Sequence, residues 1–115
     1  MANTFKTVTK AGVTSADVIY TVAGSTTTVI LGLMLGNTTS SAITGTVTLG
    51  SDTANRAGAN DESNQDVELI TSTAIPANST LELLGGNKVV METTDTLSVT
   101  GSGATDVALS IMEIT

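Results

Sequence analysis

TTTVILGLMLG, residues 26 to 36, is the most apolar run of the chain, and its reading decides the fold. The run opens on threonines, a valine and an isoleucine, which favour extended backbone, and its length suits a strand better than a helix. Strict alternation sets Val29, Leu31, Leu33 and Leu35 on one face and Ile30, Gly32, Met34 and Gly36 on the other. Both faces are apolar, so both are expected to be covered. The leucine side suits the core of a layered domain, and the glycine side, where another backbone can approach closely, suits a neighbouring subunit. Ile30, Gly32 and Met34 are therefore the candidate subunit-contact residues.

Moving outward on the N-terminal side, Thr4 to Thr9 reads as a short strand or an arm within residues 1 to 10, with Phe5 expected as a plug in the core. Ala16 to Val22 alternates, placing Val18, Tyr20 and Val22 on one face. The turn Ala23-Gly24-Ser25 then makes this segment the expected hairpin partner of the 26 to 36 strand. On the other side, Asn37 to Ser41 has turn chemistry. Ala42 to Gly50 is the cleanest strand, with Ile43, Gly45, Val47 and Leu49 inward and Thr44, Thr46 and Thr48 toward water.

Residues 51 to 65, SDTANRAGANDESNQ, have no apolar period and form the one long loop, a candidate contact surface for a partner through Asp52, Arg56, Asp61 and Glu62. Asp66 to Ser72 resumes strand character, with Val67 and Leu69 on one face and Glu68 and Ile70 on the other. Pro76 suits a bend between sheets. Thr80 to Leu84 and Val89 to Glu92 read as a hairpin around Gly85-Gly86, and Thr96 to Thr100 and Asp106 to Ile114 complete the set. About eight short strands without a helical period predict one all-β domain spanning residues 1 to 115. The expected architecture is an antiparallel β-sandwich, either jelly-roll or immunoglobulin-like.

Composition narrows the chemistry. The chain has no cysteine, histidine or tryptophan, which removes thiol catalysis, thiolate metal sites and the commonest general base. Four basic against eleven acidic residues give a formal charge of -7, which disfavours nucleic acid as a partner. Only 13% of residues are charged, so the surface must be built largely from hydroxyls; threonine supplies about a fifth of the chain. VILGLML is too short to span a bilayer, and MANTFKTVTK holds no apolar run of secretory length, so no membrane partner is expected and release by lysis or within a particle is.

Two carboxylate pairs, Asp61 with Glu62 and Glu92 with Asp95, raise glycoside hydrolysis, but Phe5 and Tyr20 are the only rings available to hold a sugar, and both are expected in the core. Asp52, Asp61, Glu62 and Asp66 could offer oxygen ligands to calcium but lack EF-hand spacing, so a solvated acidic loop is the better reading. No nucleophile elbow or phosphate loop is present. The expectation is a protein that is not an enzyme and needs no cofactor.

The successions Val18-Ile19-Tyr20-Thr21-Val22, Thr27 to Leu33 and Asn37-Thr38-Thr39 resemble short virion structural proteins of tailed phages, especially those of marine bacteria and cyanobacteria. Ile75 to Leu83, Gly85-Gly86 and Asp95 to Val99 extend the resemblance through the second half. Ala23 stands where a proline is usual in that group, and Thr94 where a glycine is. The resemblance implies a particle component with no catalytic residues to carry over. Joined to the doubly apolar strand, it makes the leading expectation a homo-oligomer, a trimer, that decorates or cements a capsid in contact with other virion proteins such as the major capsid protein. A tail, neck or fibre-tip module that binds a host surface is the alternative.

Overall fold

A computed structural model describes residues 2–51, 64–84 and 86–115. Among these the chain is all β: β1 (Asn3–Val13), β2 (Asp17–Thr21), β3 (Thr27–Asn37), β4 (Ile43–Gly50), β5 (Val67–Ile75), β6 (Thr80–Leu83), β7 (Val89–Met91), β8 (Thr96–Gly101) and β9 (Thr105–Ile114). Every pairing is antiparallel. A five-stranded sheet runs β1-β9-β3-β6, with β7 also on β3, and a four-stranded sheet runs β2-β8-β4-β5.

β6 pairs with Leu33 to Gly36 and β7 with Thr28 to Ile30, on the same edge of β3. They are two pieces of one interrupted strand, and the expected 80 to 92 hairpin does not form. Counting them as one gives the orders 1-8-3-6 and 2-7-4-5, the doubly wound connectivity of a jelly roll and not the immunoglobulin arrangement. The turn at residues 23 to 25 likewise carries the chain from one sheet to the other. β2 pairs with β8, not with β3, because both of its neighbours in sequence belong to the opposite layer. The turn at Pro76 does pass between sheets, as its fixed φ and missing donor suggest.

The decisive irregularity is in β3. Its register with β9 shifts between Ile30↔Ile111 and Gly32↔Ser110, so Leu31 is an extra residue that reverses the alternation. Thr28 and Ile30 point into the sandwich before the bulge; Leu33, Leu35 and Asn37 do so after it. β2 and β5 repeat the device. Ile19 is extra between Val18↔Ser98 and Tyr20↔Leu97, so Val18 faces water while Tyr20 turns inward, and the two do not share a face. In β5 the register shifts twice and brings Ile70 opposite inward-facing Val47, so Ile70 is not on the face of Glu68. In β4, by contrast, Ile43, Gly45 and Val47 face the core and Leu49 is half-buried, as expected.

The core is made by Ile30, Leu33 and Leu35 with Leu109 and Ile111 from one layer and Val47, Ile75, Leu97 and Val99 from the other, all sealed from water. β1 is an edge strand paired along β9 from Asn3 to Lys10 and again at Val13, not a loose arm. Its inward residues are Lys6 and Val8, opposite Ile111 and Leu109. Phe5, on the other parity, is 71% exposed and does not plug the core.

Polar groups brace both ends of the sandwich. At one end buried Asn37 ties two loops together: its Nδ2 donates to the carbonyls of Ser41, Ile75 and Pro76 at 2.8, 3.0 and 3.1 Å, and its Oδ1 accepts from Thr39 N and Oγ1 at 2.9 and 2.7 Å. At the other end Lys6 pairs with Glu113 at 2.6 Å, and the Tyr20 hydroxyl donates to Glu113 Oε2 at 2.5 Å. Since a phenol has one hydrogen, Thr28 Oγ1, 2.7 Å from the same oxygen, is the donor in that bond.

Candidate functional site

Among the described residues, several ionisable groups brace the fold. Glu113 is held below the usual carboxylate range by its hydrogen bonds from Lys6 first and Tyr20 second. Burial first, then the bond to Glu113, pushes the Tyr20 phenol up. A carboxylate kept ionised and a phenol kept protonated are poor partners for proton transfer near neutrality. The Glu92 and Asp95 pair resolves into a turn brace: Asp95 Oδ2 accepts from Glu92 N at 3.0 Å, and Asp95 N donates to Glu92 O at 3.0 Å. Asp66 Oδ1 accepts from Ser51 N at 3.0 Å. Asp52, Arg56, Asp61 and Glu62 lie outside the described residues. Among the described residues, no three metal-capable side chains come together.

What distinguishes the molecule is the contrast between its two outer faces. On the four-stranded sheet, the row Val18, Ser98, Thr48 and Glu68 and the pair Thr46 and Thr100 present mostly hydroxyls, the coating that the threonine content predicts. On the five-stranded sheet, directly opposed residues form an apolar row across all four strand positions: Phe5, Met112, Val29 and Val90. Phe5 and Val90 are 71% and 61% exposed. One step along is Thr7, Ser110 and Gly32, and beyond it Thr9, Ala108 and Met34, with Met34 44% exposed.

This face has relief. The Phe5 row is a ridge of large side chains. Beyond it, β9 contributes Ser110 and Ala108 and β3 contributes Gly32 and Gly36, and the small residues leave a trough. One hollow in it, of about 380 Å³, lies between Thr9, Ala11, Met34, Gly36 and Thr80 over Ala108, with Asp106 in its lining. A second depression, bordered by Glu82, joins it through Met34 and Ala108, and a third, sharing Ser110 with the second, reaches back beside Phe5 and Leu31. Nothing stands within 4 Å of where a Gly32 side chain would begin, so this position is open on the face.

Of the three residues expected at a subunit contact, Gly32 and Met34 are on this face, but Ile30 is not. It is fully buried in its own core because the bulge at Leu31 changes the parity of the strand between Ile30 and Gly32. Sequence reasoning missed Phe5, Val29, Val90, Ala108 and Met112. Phe5 was legible as one of a period-two set, but its parity was not. Lys6 is the inward neighbour, and a lysine faces the sandwich at an edge strand only because its stem can lie along apolar surface while its ammonium reaches Glu113.

No protein-family profile matches the chain, and no curated protein or solved structure is significantly similar to it.

Proposed function

We propose that this chain is a structural component of a phage virion, a homo-oligomeric capsid decoration or cement protein whose uncovered sheet face is its assembly surface. The observation that carries this reading is the ridge-and-trough face of the five-stranded sheet, apolar across four strands while the opposite face is coated with hydroxyls. A lone domain gains nothing from leaving Phe5, Val90 and Met34 in water, and such a contiguous patch marks a contact surface. The jelly roll is an architecture of capsid and lectin domains, and that analogy of fold agrees with the likeness of the strand and turn segments to virion proteins. The side-chain inventory, without cysteine or histidine, favours a scaffold over a catalyst.

The test is co-sedimentation of the purified protein with emptied tailed-phage capsids stripped of accessory proteins, with host cell envelopes as the comparison. Saturable binding to shells, lost in Met34→Glu, supports decoration. Binding to envelopes alone would replace it with the adhesion reading, and binding to neither, with a monomeric protein in solution, would overturn an assembly role.

A further inference from the structure

The relief of this face is self-complementary, and the geometry points to its occupant: a second copy of the same chain, stacked face to face about a two-fold axis. This deepens the reading of the five-stranded sheet as an assembly surface and rests on it. The ridge row (Phe5, Met112, Val29, Val90) and the trough row (Thr9, Ala108, Met34) are four residues apart along the strands, roughly 13 Å. Midway between them is the row of Thr7, Ser110 and Gly32, all small. A two-fold axis in the plane of the contact, running along that middle row, reverses the strands and lays the ridge of each copy over the trough of the other.

The same operation stacks each strand on its own equivalent. Met112 comes over the partner's Ala108, Val29 over the partner's Met34, and Phe5 over the partner's Thr9 at the trough rim. Val90, the fourth ridge residue, comes over the partner's Glu82 at the margin of the face, and each contact occurs twice, as an isologous interface requires. The small middle row lets the two backbones approach there without a clash.

Size and charge favour the same occupant. Four strand positions at ~4.8 Å and about ten residues at ~3.3 Å make a face of roughly 600 Å² per copy, so that a pair covers about 1,200 Å², the lower end of specific interfaces. Copies of a chain with net charge -7 repel one another wherever acidic groups meet. Among the described residues, Glu82 and Asp106 line the trough of this face, and the two-fold carries those of the two copies to opposite sides of its axis. Glu82 lies at the rim beside Met34, and Asp106 lies at the far end, where its Oδ1 accepts from Gly12 N at 3.0 Å. The contact so defined is two-fold, in place of the three-fold assembly expected from the sequence.

The test uses the absence of native cysteine. Ser110→Cys puts one thiol beside the axis, and Thr46→Cys puts one on the hydroxyl-coated face of the other sheet. With a short bismaleimide, Ser110→Cys should give a covalent dimer and Thr46→Cys should remain single chains. Sedimentation equilibrium of the unlabelled wild type should show twice the 11.5 kDa chain mass, and Phe5→Glu should weaken association at least tenfold while circular dichroism shows an unchanged fold. A larger oligomer that survives Phe5→Glu and fails to cross-link at residue 110 would overturn the two-fold pairing yet leave an assembly role standing. A wild type that is monomeric up to high micromolar concentration would overturn both.

Discussion

Replacing Asn37 by aspartate removes two hydrogens and adds a charge without changing shape, which makes it a clean probe of how the two loops at one end of the sandwich are held. The amide group of Asn37 faces the carbonyls of Ser41, Ile75 and Pro76, while its oxygen serves Thr39. With two hydrogens for three acceptors, at least one bond is shared. Aspartate keeps the acceptor side but leaves three carbonyls without their donor and sets an anion against them in a buried position. An unpaired buried polar group costs about 1–3 kcal/mol, and more when charged. The expected loss is therefore about 3–5 kcal/mol at neutral pH, against about 2–4 kcal/mol for Asn37→Ala, which loses the acceptor bonds from Thr39 as well but adds no charge.

The assay is urea unfolding followed by circular dichroism, reading the midpoint at constant slope. The pH dependence sharpens it. Facing carbonyl dipoles, the new carboxyl has a folded-state pKa raised above its unfolded value, so the penalty is full above the folded pKa and lifts as pH falls, when the protonated acid regains a donor. Aspartate should approach the wild type in acid, and alanine should not. An aspartate variant within 0.5 kcal/mol of wild type at neutral pH would refute the role given to the amide.

Three further outcomes follow from particular residues. Thr94, exposed, has φ +74°, a left-handed conformation costly for a β-branched side chain; Thr94→Gly should stabilise by about 0.5–1 kcal/mol net of the glycine's added freedom in the unfolded chain, read by thermal melting. Ile30→Ala should cost about 2–5 kcal/mol and Met34→Ala less than about 1 kcal/mol in dilute denaturation; equal losses would deny the parity change at Leu31. Glu113, whose folded pKa is depressed by Lys6 and Tyr20, contributes stability that is present above its unfolded pKa and lost as pH falls through the folded one. The gap between wild type and Glu113→Gln should therefore close in acid, and a gap that widens there would contradict the ion pair.

The elements themselves were legible in the sequence because β-branched and apolar residues recur at period two between glycine-, asparagine- and proline-bearing turns. Residues 42 to 50 show how far that reading goes: three inward positions are buried and Leu49 is half-buried. It fails where one residue is inserted. Apolar residues on both parities of 26 to 36 suggest a strand with two covered faces, but Leu31 makes them successive parts of one inward face, and Ile30 moves from candidate contact to core. The same cause separates Val18 from Tyr20 and carries Ile70 inward. Pairing was less legible than strand position, since nothing local states that residues 23 to 25 cross between layers or that 80 to 83 and 89 to 91 share an edge. Phe5 was misjudged because its inward alternative was a lysine, whose partner Glu113 is more than a hundred residues away in the chain.

The broken edge formed by β6 and β7 has a further effect. Its gap falls opposite the displaced backbone at Leu31, and the other borders of both sheets, β1, β2 and β5, each carry a register shift of their own. The β6–β7, β2 and β5 borders therefore offer no long straight ladder for an incoming strand, while β1 keeps Asn3 to Lys10 in one register and leaves strand addition confined to that border.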